Sequence, residues 1–445
     1  MSCQISRTSR FHHTDRCAQL FFDDNGKTYL SAVNMVREPG VTNGNGLCLA
    51  THTCEIDIDT GNSLSGSVWQ RISTAPNGVA EGPHIFKLGG YWYLSTAEGG
   101  TDEGHQQWIS RSKEGPLGPW ETGPEGTVNP LIFNDGHHSI RNTGHMDIVE
   151  DAEGNWWVVF LGVRPQGDDR TTLSSLGRET FLAPMKWSED GWPVVNDRKP
   201  IELICDGPGK YLLDPESRWR DDFTKPDLAL TWYSLRTPLK PCYSLTQYPG
   251  QLTLYGNAYT ITDFECPAML FQKQKQHSVD WRTRLEFSPT KADHEAGTTI
   301  WWSQYAHASI GIRRSSTGEE GWEVHCAAYD SEQDRFVVST RYTHGVVMYP
   351  TDSTQHQTSQ LPSGFPPKVD LIIHARPTGY RLAFSISLDD KESELGSIST
   401  TSLTTRKHGK ESPNTGAHFG LYAQGAYGFP CRVPAKFAFA QWALV

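Results

Sequence analysis

Residues 79–101 read VAEGPHIFKLGGYWYLSTAEGGT. A hydrophobic run from His84 to Leu88 meets a Gly-Gly pair and returns as an aromatic run from Tyr91 to Thr96. That pattern predicts a β-hairpin, its turn built from residues that tolerate left-handed backbone angles. Two glutamates, Glu81 and Glu98, stand in Gly-rich corners at the two ends.

The hairpin occurs twice more, as LFFDDNGKTYLSA (20–32) and DIVEDAEGNWWVVFL (147–161). The turn glycines are Gly26, Gly90 and Gly154, 64 residues apart at both intervals, and Tyr29, Tyr93 and Trp157 keep the same period. A period long enough for four short strands, with no helix between, predicts propeller blades around a central channel. One further period falls near residue 218, where PESRWRDDF carries no such hairpin, so the repeat has ended.

The stretch CDGPGKYLLDPES (205–217) has linker composition. Beyond it, runs such as GQLTLYG, DWRTRLEFSP and KVDLIIHARPTGYRLAFSISL alternate apolar and polar residues between turn signals, predicting a second all-β domain of sandwich type. The expected division is an atypical polar tail at 1–19, a partial propeller at 20–204, a linker at 205–217 and a sandwich at 218–445.

Composition agrees with an all-β chain. Forty-one Gly and 27 Pro suit many corners, while 15 Trp, 16 Tyr and 18 Phe suit pleated sheets. A length of 445 residues accommodates two or three domains. The formal charge of −11 argues against nucleic acid or an anionic membrane as partner and suits a neutral sugar. Nine cysteines without a CxxC pair give neither a zinc pattern nor a closed disulfide framework; Cys48 and Cys54 either pair or remain buried thiols. The polar start lacks a signal-peptide core, no apolar run is long enough to span a membrane, and no Asn-x-Ser/Thr acceptor is present. These features favour the cytoplasm.

Glu81 follows Val79-Ala80 and precedes Gly82-Pro83. At the corner before an inner propeller strand, such a carboxyl can face the channel, and partly apolar surroundings would raise its pKa into the range of a general acid. A structural turn glutamate fits the same four letters, and both readings stay open on this evidence.

EGPHIFKLGGYWYLSTAEGGT, TGHMDIVEDAEGNWWVVFLGVRP, LGRETFLAPMKWSEDGWPVVN and EIDIDTG together resemble glycoside hydrolase family 43, in its β-xylosidase and α-L-arabinofuranosidase branch. WRDDFTKPDLALTWYSLRTP and HFGLYAQGAYGFP extend the resemblance from Leu20 to Leu444. The resemblance implies a five-bladed β-propeller followed by a concanavalin-like β-sandwich. It also implies an inverting glycosidase acting on xylo- or arabino-oligosaccharides, with no cofactor beyond a possible structural calcium.

Carried over residue by residue, it makes Glu81 the general acid and places Thr101 and Arg178 against the sugar. His145 would lie near the propeller axis, a substrate-binding residue that in some relatives helps hold water or calcium. The rival readings are a turn cap for Thr101, a partner of Glu179 or another acid for Arg178, and a hydrogen-bonded core histidine for His145.

Three periods of 64 leave about two blades of five unaccounted for, including the first, on which the resemblance places the aspartate base. Cys17 stands where a second aspartate is implied. Asp15 lies two residues before it, and His12, His13 and Asp15 belong to the polar tail. An incomplete propeller would expose sheet faces and associate. The alternative to a glycosidase is a homologue that retains carbohydrate binding without turnover.

Overall fold

The computed structural model describes residues 16–36, 48–73, 78–134, 136–166, 174–205, 207, 216–304, 306–314, 321–329, 336–339, 347–350, 354–361, 368–386, 391–404, 415–426 and 428–445. The chain divides into two compact units, Met1–Pro165 with Arg178–Tyr211, and Gln166–Gly177 with Leu212–Val445. Of the tail expected at 1–19, residues 1–15, with His12, His13 and Asp15, lie outside the described residues, while residues 16–19 belong to a strand, Arg16–Phe22; most of the 205–217 segment also lies outside the described residues.

The described strands of the first unit form three four-stranded antiparallel sheets, each paired in chain order. The first sheet holds β1 (Arg16–Phe22), β2 (Thr28–Val36), β3 (Cys48–Ile56) and β4 (Val68–Ile72). The second holds β5 (Ala80–Leu88), β6 (Tyr91–Glu98), β7 (Gln106–Ser112) and β8 (Glu121–Thr122). The third holds β9 (Arg141–Glu150), β10 (Trp156–Val163), β11 (Glu179–Trp187) and β12 (Pro193–Val195). These are blades of the five-bladed propeller type. Gly26, Gly90 and Gly154 close the first hairpin of each blade at φ +81°, +82° and +82°, a region costly for residues with a Cβ.

Side chains join successive blades. Gln19 on β1 donates to the Ile85 carbonyl on β5 (3.2 Å) and accepts from the Ile85 amide (2.6 Å). Gln107 on β7 accepts from the Met146 amide on β9 (3.0 Å). The third blade packs on Ile140, Met146, Val158, Phe160, Ala183 and Met185. Burial of such side chains, at roughly 25 cal/mol per Å² of apolar area, is the main stabilising term.

Glu98 proves structural. Its fully buried carboxylate receives Arg71 Nε at 2.7 Å and the Ser73 hydroxyl at 2.7 Å, and Arg71 lies over the Trp108 ring at 4.6 Å. Glu98 therefore fastens β4 of the first blade to the second blade.

In the second unit, an eight-stranded and a six-stranded sheet supply strands to one core. Trp281 of the first sheet stacks on Phe419 of the second, centroids 5.2 Å apart and planes 5° apart. The closing strand Ala435–Leu444 pairs with Arg218–Asp221, Leu252–Leu254 and Val279–Glu286. Gln166–Gly177 belongs to this unit as well: Gln166 donates to the Pro377 carbonyl (2.6 Å), and Ser175 accepts from the Ala417 amide (2.7 Å). Cys48 and Cys54 are buried free thiols, not a pair. Among the described residues no helix is long and apolar enough to cross a membrane.

Candidate active site

The first strand of each blade breaks its register near the same place, and the break there carries a left-handed residue. On β1 the shift lies between Arg16 and Gln19, with Cys17 at φ 51°. On β5 it lies between Glu81 and His84, with Gly82 at φ +53°. On β9 it lies between Gly144 and Asp147, with His145 at φ 57°. A β-bulge re-aims the side chain beside it. Cys17, Glu81 and His145 thus occupy equivalent positions on three first strands, at the 64-residue period of the turns.

Glu81 is not in a turn. It pairs with Ala97 inside the β5–β6 ladder, and the Gly82-Pro83 corner expected from the sequence is the bulge that follows it. Gly82 faces the His145 ring so closely that an added Cβ would stand 2.6 Å from Nε2. Burial holds His145 below the usual histidine range, and its neighbours His84 and Arg178 act in the same direction, so its imidazole is neutral at pH 7. His84 Nδ1 lies 3.7 Å from Asp147 Oδ2.

Arg178 stands immediately before β11, half-buried. Burial lowers its pKa, while the electrostatic influence of Glu81 and of Cys17 opposes the shift. Arg178 Nε–H is buried without a hydrogen-bond partner. The alternative pairing with Glu179 does not form, because Arg164 grips that carboxylate through Nε and Nη2 at 2.8 Å each. A buried, unsatisfied guanidinium N–H beside a carboxyl is suited to a neutral, hydroxyl-rich ligand that supplies the missing acceptor.

Thr101 lies half-buried in the loop between β6 and β7. Glycine is required at that loop's entrance, since a Cβ on Gly99 would stand 1.9 Å from the Gly104 carbonyl oxygen. None of the hydrogen bonds described uses the Thr101 hydroxyl, so the turn-cap reading has no support. His145 meets the glycine next to Glu81, and Arg178 is electrostatically coupled to Glu81, His145 and Cys17; no described contact joins Thr101 to them.

Sequence reasoning missed His105 and Gln107. His105 is 1 % exposed with Nδ1 at 2.8 Å from the Asn142 carbonyl, and burial pushes its pKa down to about 4. Only its flanking Gly104 and the buried register of Gln107 hinted at an interior position. Among the described residues no three or more His, Cys, Asp or Glu side chains converge on a metal position.

Residues 15–193 match the family model for glycosyl hydrolases family 43, and residues 220–443 match that for the β-xylosidase C-terminal concanavalin A-like domain. The chain is 32% identical over 376 residues to a non-reducing-end α-L-arabinofuranosidase of Bacteroides ovatus, covering 83% of this chain and 64% of that protein. It is 32% identical over 317 residues to a xylan 1,3-β-xylosidase of a Vibrio species, covering 68% and 57%. It therefore spans less than two thirds of the length of either relative. A solved structure of GH43B from a xyloglucan PUL of Bacteroides ovatus superposes with a TM-score of 0.75 at 28% identity, over 96% of this chain and 75% of that one. A xylan β-1,4-xylosidase from Bacillus halodurans shares the fold, with a TM-score of 0.76 at 24% identity over 97% and 76%.

Proposed function

The chain belongs to glycoside hydrolase family 43, and from that premise we propose that it acts on the terminal pentose of short xylo- or arabino-oligosaccharides, with Glu81 as general acid. The observation that carries the reading is the bulge beside Glu81, where Gly82 touches His145, with Arg178 under the electrostatic influence of Glu81. The two relatives named above are an arabinofuranosidase and a xylosidase, which supports a pentose.

In this mechanism Glu81 donates its proton to the glycosidic oxygen as the bond to the anomeric carbon lengthens. The positive charge that develops on the ring is met by water from the opposite face. Neutral His145 can both donate to and accept from a sugar hydroxyl, and Arg178 donates without ever giving up its proton. Inversion also requires a carboxylate base across the sugar, about 6.5–9.5 Å from the acid. Proton transfer of this kind needs no cofactor.

The test follows the anomeric proton by NMR during hydrolysis of a nitrophenyl β-xyloside or α-arabinofuranoside. First release of the opposite anomer supports the reading. Retained configuration removes the inverting mechanism, and pentose binding by calorimetry without hydrolysis reduces the function to carbohydrate recognition.

A further inference from the structure

We infer that His105 is a positioning residue for His145, acting through the backbone of β9. The inference rests on the sugar-pocket reading only in that His145 belongs to that pocket. β9 carries two register breaks within a few residues, and left-handed Asn142 and His145 sit at them. Neither residue is a glycine, and such angles persist only where the surroundings hold them.

His105 supplies that hold from two directions. Its Nδ1 lies 2.8 Å from the Asn142 carbonyl oxygen, an acceptor, so Nδ1 carries the hydrogen and fixes the tautomer. Its ring lies flat against Gly144, where a Cβ would stand 2.8 Å from Nε2 and 3.0 Å from Cδ2. One imidazole therefore clamps the residue that begins the first bulge and the residue immediately before His145. Burial keeps the ring neutral, so the clamp does not change with pH in the neutral range. His105 is itself anchored, its amide donating to the Asp102 carbonyl at 2.8 Å. Two residues later, Gln107 accepts from the Met146 amide and donates to Ser95 Oγ at 2.6 Å, securing the strand on the far side of His145. Without His105, β9 can recover regular register between Arg141 and Asp147, which would withdraw the His145 ring from Gly82.

The experiment uses the full chain and four variants: His105→Ala, His105→Phe, His105→Asn and Gly144→Ala. The Asn amide sits where Nδ1–H does and keeps the bond to Asn142, whereas Phe keeps the ring volume and loses the donor. Long-range proton–nitrogen spectra report the His145 ring, and calorimetry reports xylose and arabinose binding. The expected result is displaced His145 signals in the Ala, Phe and Gly144→Ala variants, with wild-type-like signals in His105→Asn. Pentose affinity should fall by about tenfold or more in the first three and recover with Asn. If His105→Ala does not fold, the Phe and Asn pair decides by the same readouts. Unmoved His145 signals in His105→Phe, or equal displacement in Phe and Asn, would overturn the inference. A parent chain that binds no pentose would count against the proposed function, while the His145 spectra would still judge the role of His105.

Discussion

Gly82 and His145 are in contact across two blades: no side chain fits on Gly82, because its Cβ would lie 2.6 Å from the His145 imidazole. The glycine answers two demands at once, a left-handed angle at the bulge after Glu81 and clearance for the ring that the third blade presents. Gly26 meets only the first demand, having the same kind of angle and open space around it.

Gly82→Ala and Gly26→Ala separate those two roles. Each should cost about 1 kcal/mol from the left-handed angle, a few degrees in melting temperature. Only Gly82→Ala should also lose pentose binding, because only there must His145 move. Calorimetry and thermal melts of the two variants check this.

Removing Glu98 should destabilise the first unit strongly. Glu98→Ala leaves the Arg71 guanidinium, whose side chain is only 13% exposed, facing no carboxylate, at an expected cost of about 3–5 kcal/mol. Replacing both partners, Arg71→Met with Glu98→Leu, should cost less than Glu98→Ala alone. Urea unfolding of the single and double variants measures the difference.

Acid should unfold the protein earlier than its carboxylates alone require. His105, His307 and His418 are held at about 4 by burial, against an ordinary 6.5. Above 6.5 both folded and unfolded forms are neutral and nothing is lost. As pH falls from 6.5 toward 4, the unfolded chain takes up protons that the folded chain refuses, so stability drops by about 2 kcal/mol per histidine at pH 5. Melting temperatures between pH 7 and pH 5 should show the fall, and His418→Gln should flatten its share.

The first blade should drive self-association. Leu20 and Phe22 on β1 and Val68 and Trp69 on β4 are exposed at 41%, 63%, 39% and 45%. β1 and β4 are the two edges of their sheet, and exposed apolar side chains on sheet edges favour contact with another surface. Sedimentation should show oligomers that dissociate when Leu20→Lys, Phe22→Glu and Val68→Lys are combined, with little change in melting temperature. A parent chain monomeric at the same concentration would contradict this.

The blade architecture was legible because local chemistry repeats: three turns need a left-handed residue, and three glycines 64 residues apart supply it. Glu81 and Arg178 were nameable from motifs. The equivalence of Cys17, Glu81 and His145 was present in the same period but invisible as chemistry, since a thiol, a carboxyl and an imidazole share no pattern. Contacts between blades left no trace that a linear reading could find. Arg71 and Glu98 are 27 residues apart and meet only once two sheets pack, and His105 grips Asn142 across 37. The segment Gln166–Gly177 is another such case, because its membership in the second unit depends on Pro377 and Ala417, more than 200 residues away.

The central claim is that Glu81 protonates the leaving oxygen. Its most direct measurement compares hydrolysis of an unactivated pentose disaccharide such as xylobiose, whose basic leaving oxygen needs the proton, by the parent chain and by Glu81→Gln, with pentose affinity measured on both. The account predicts a fall in kcat of about 10²–10⁴-fold with affinity nearly unchanged, since an amide has the shape of the acid but no proton to give. Glu81→Gln hydrolysing at the parent's rate would contradict it.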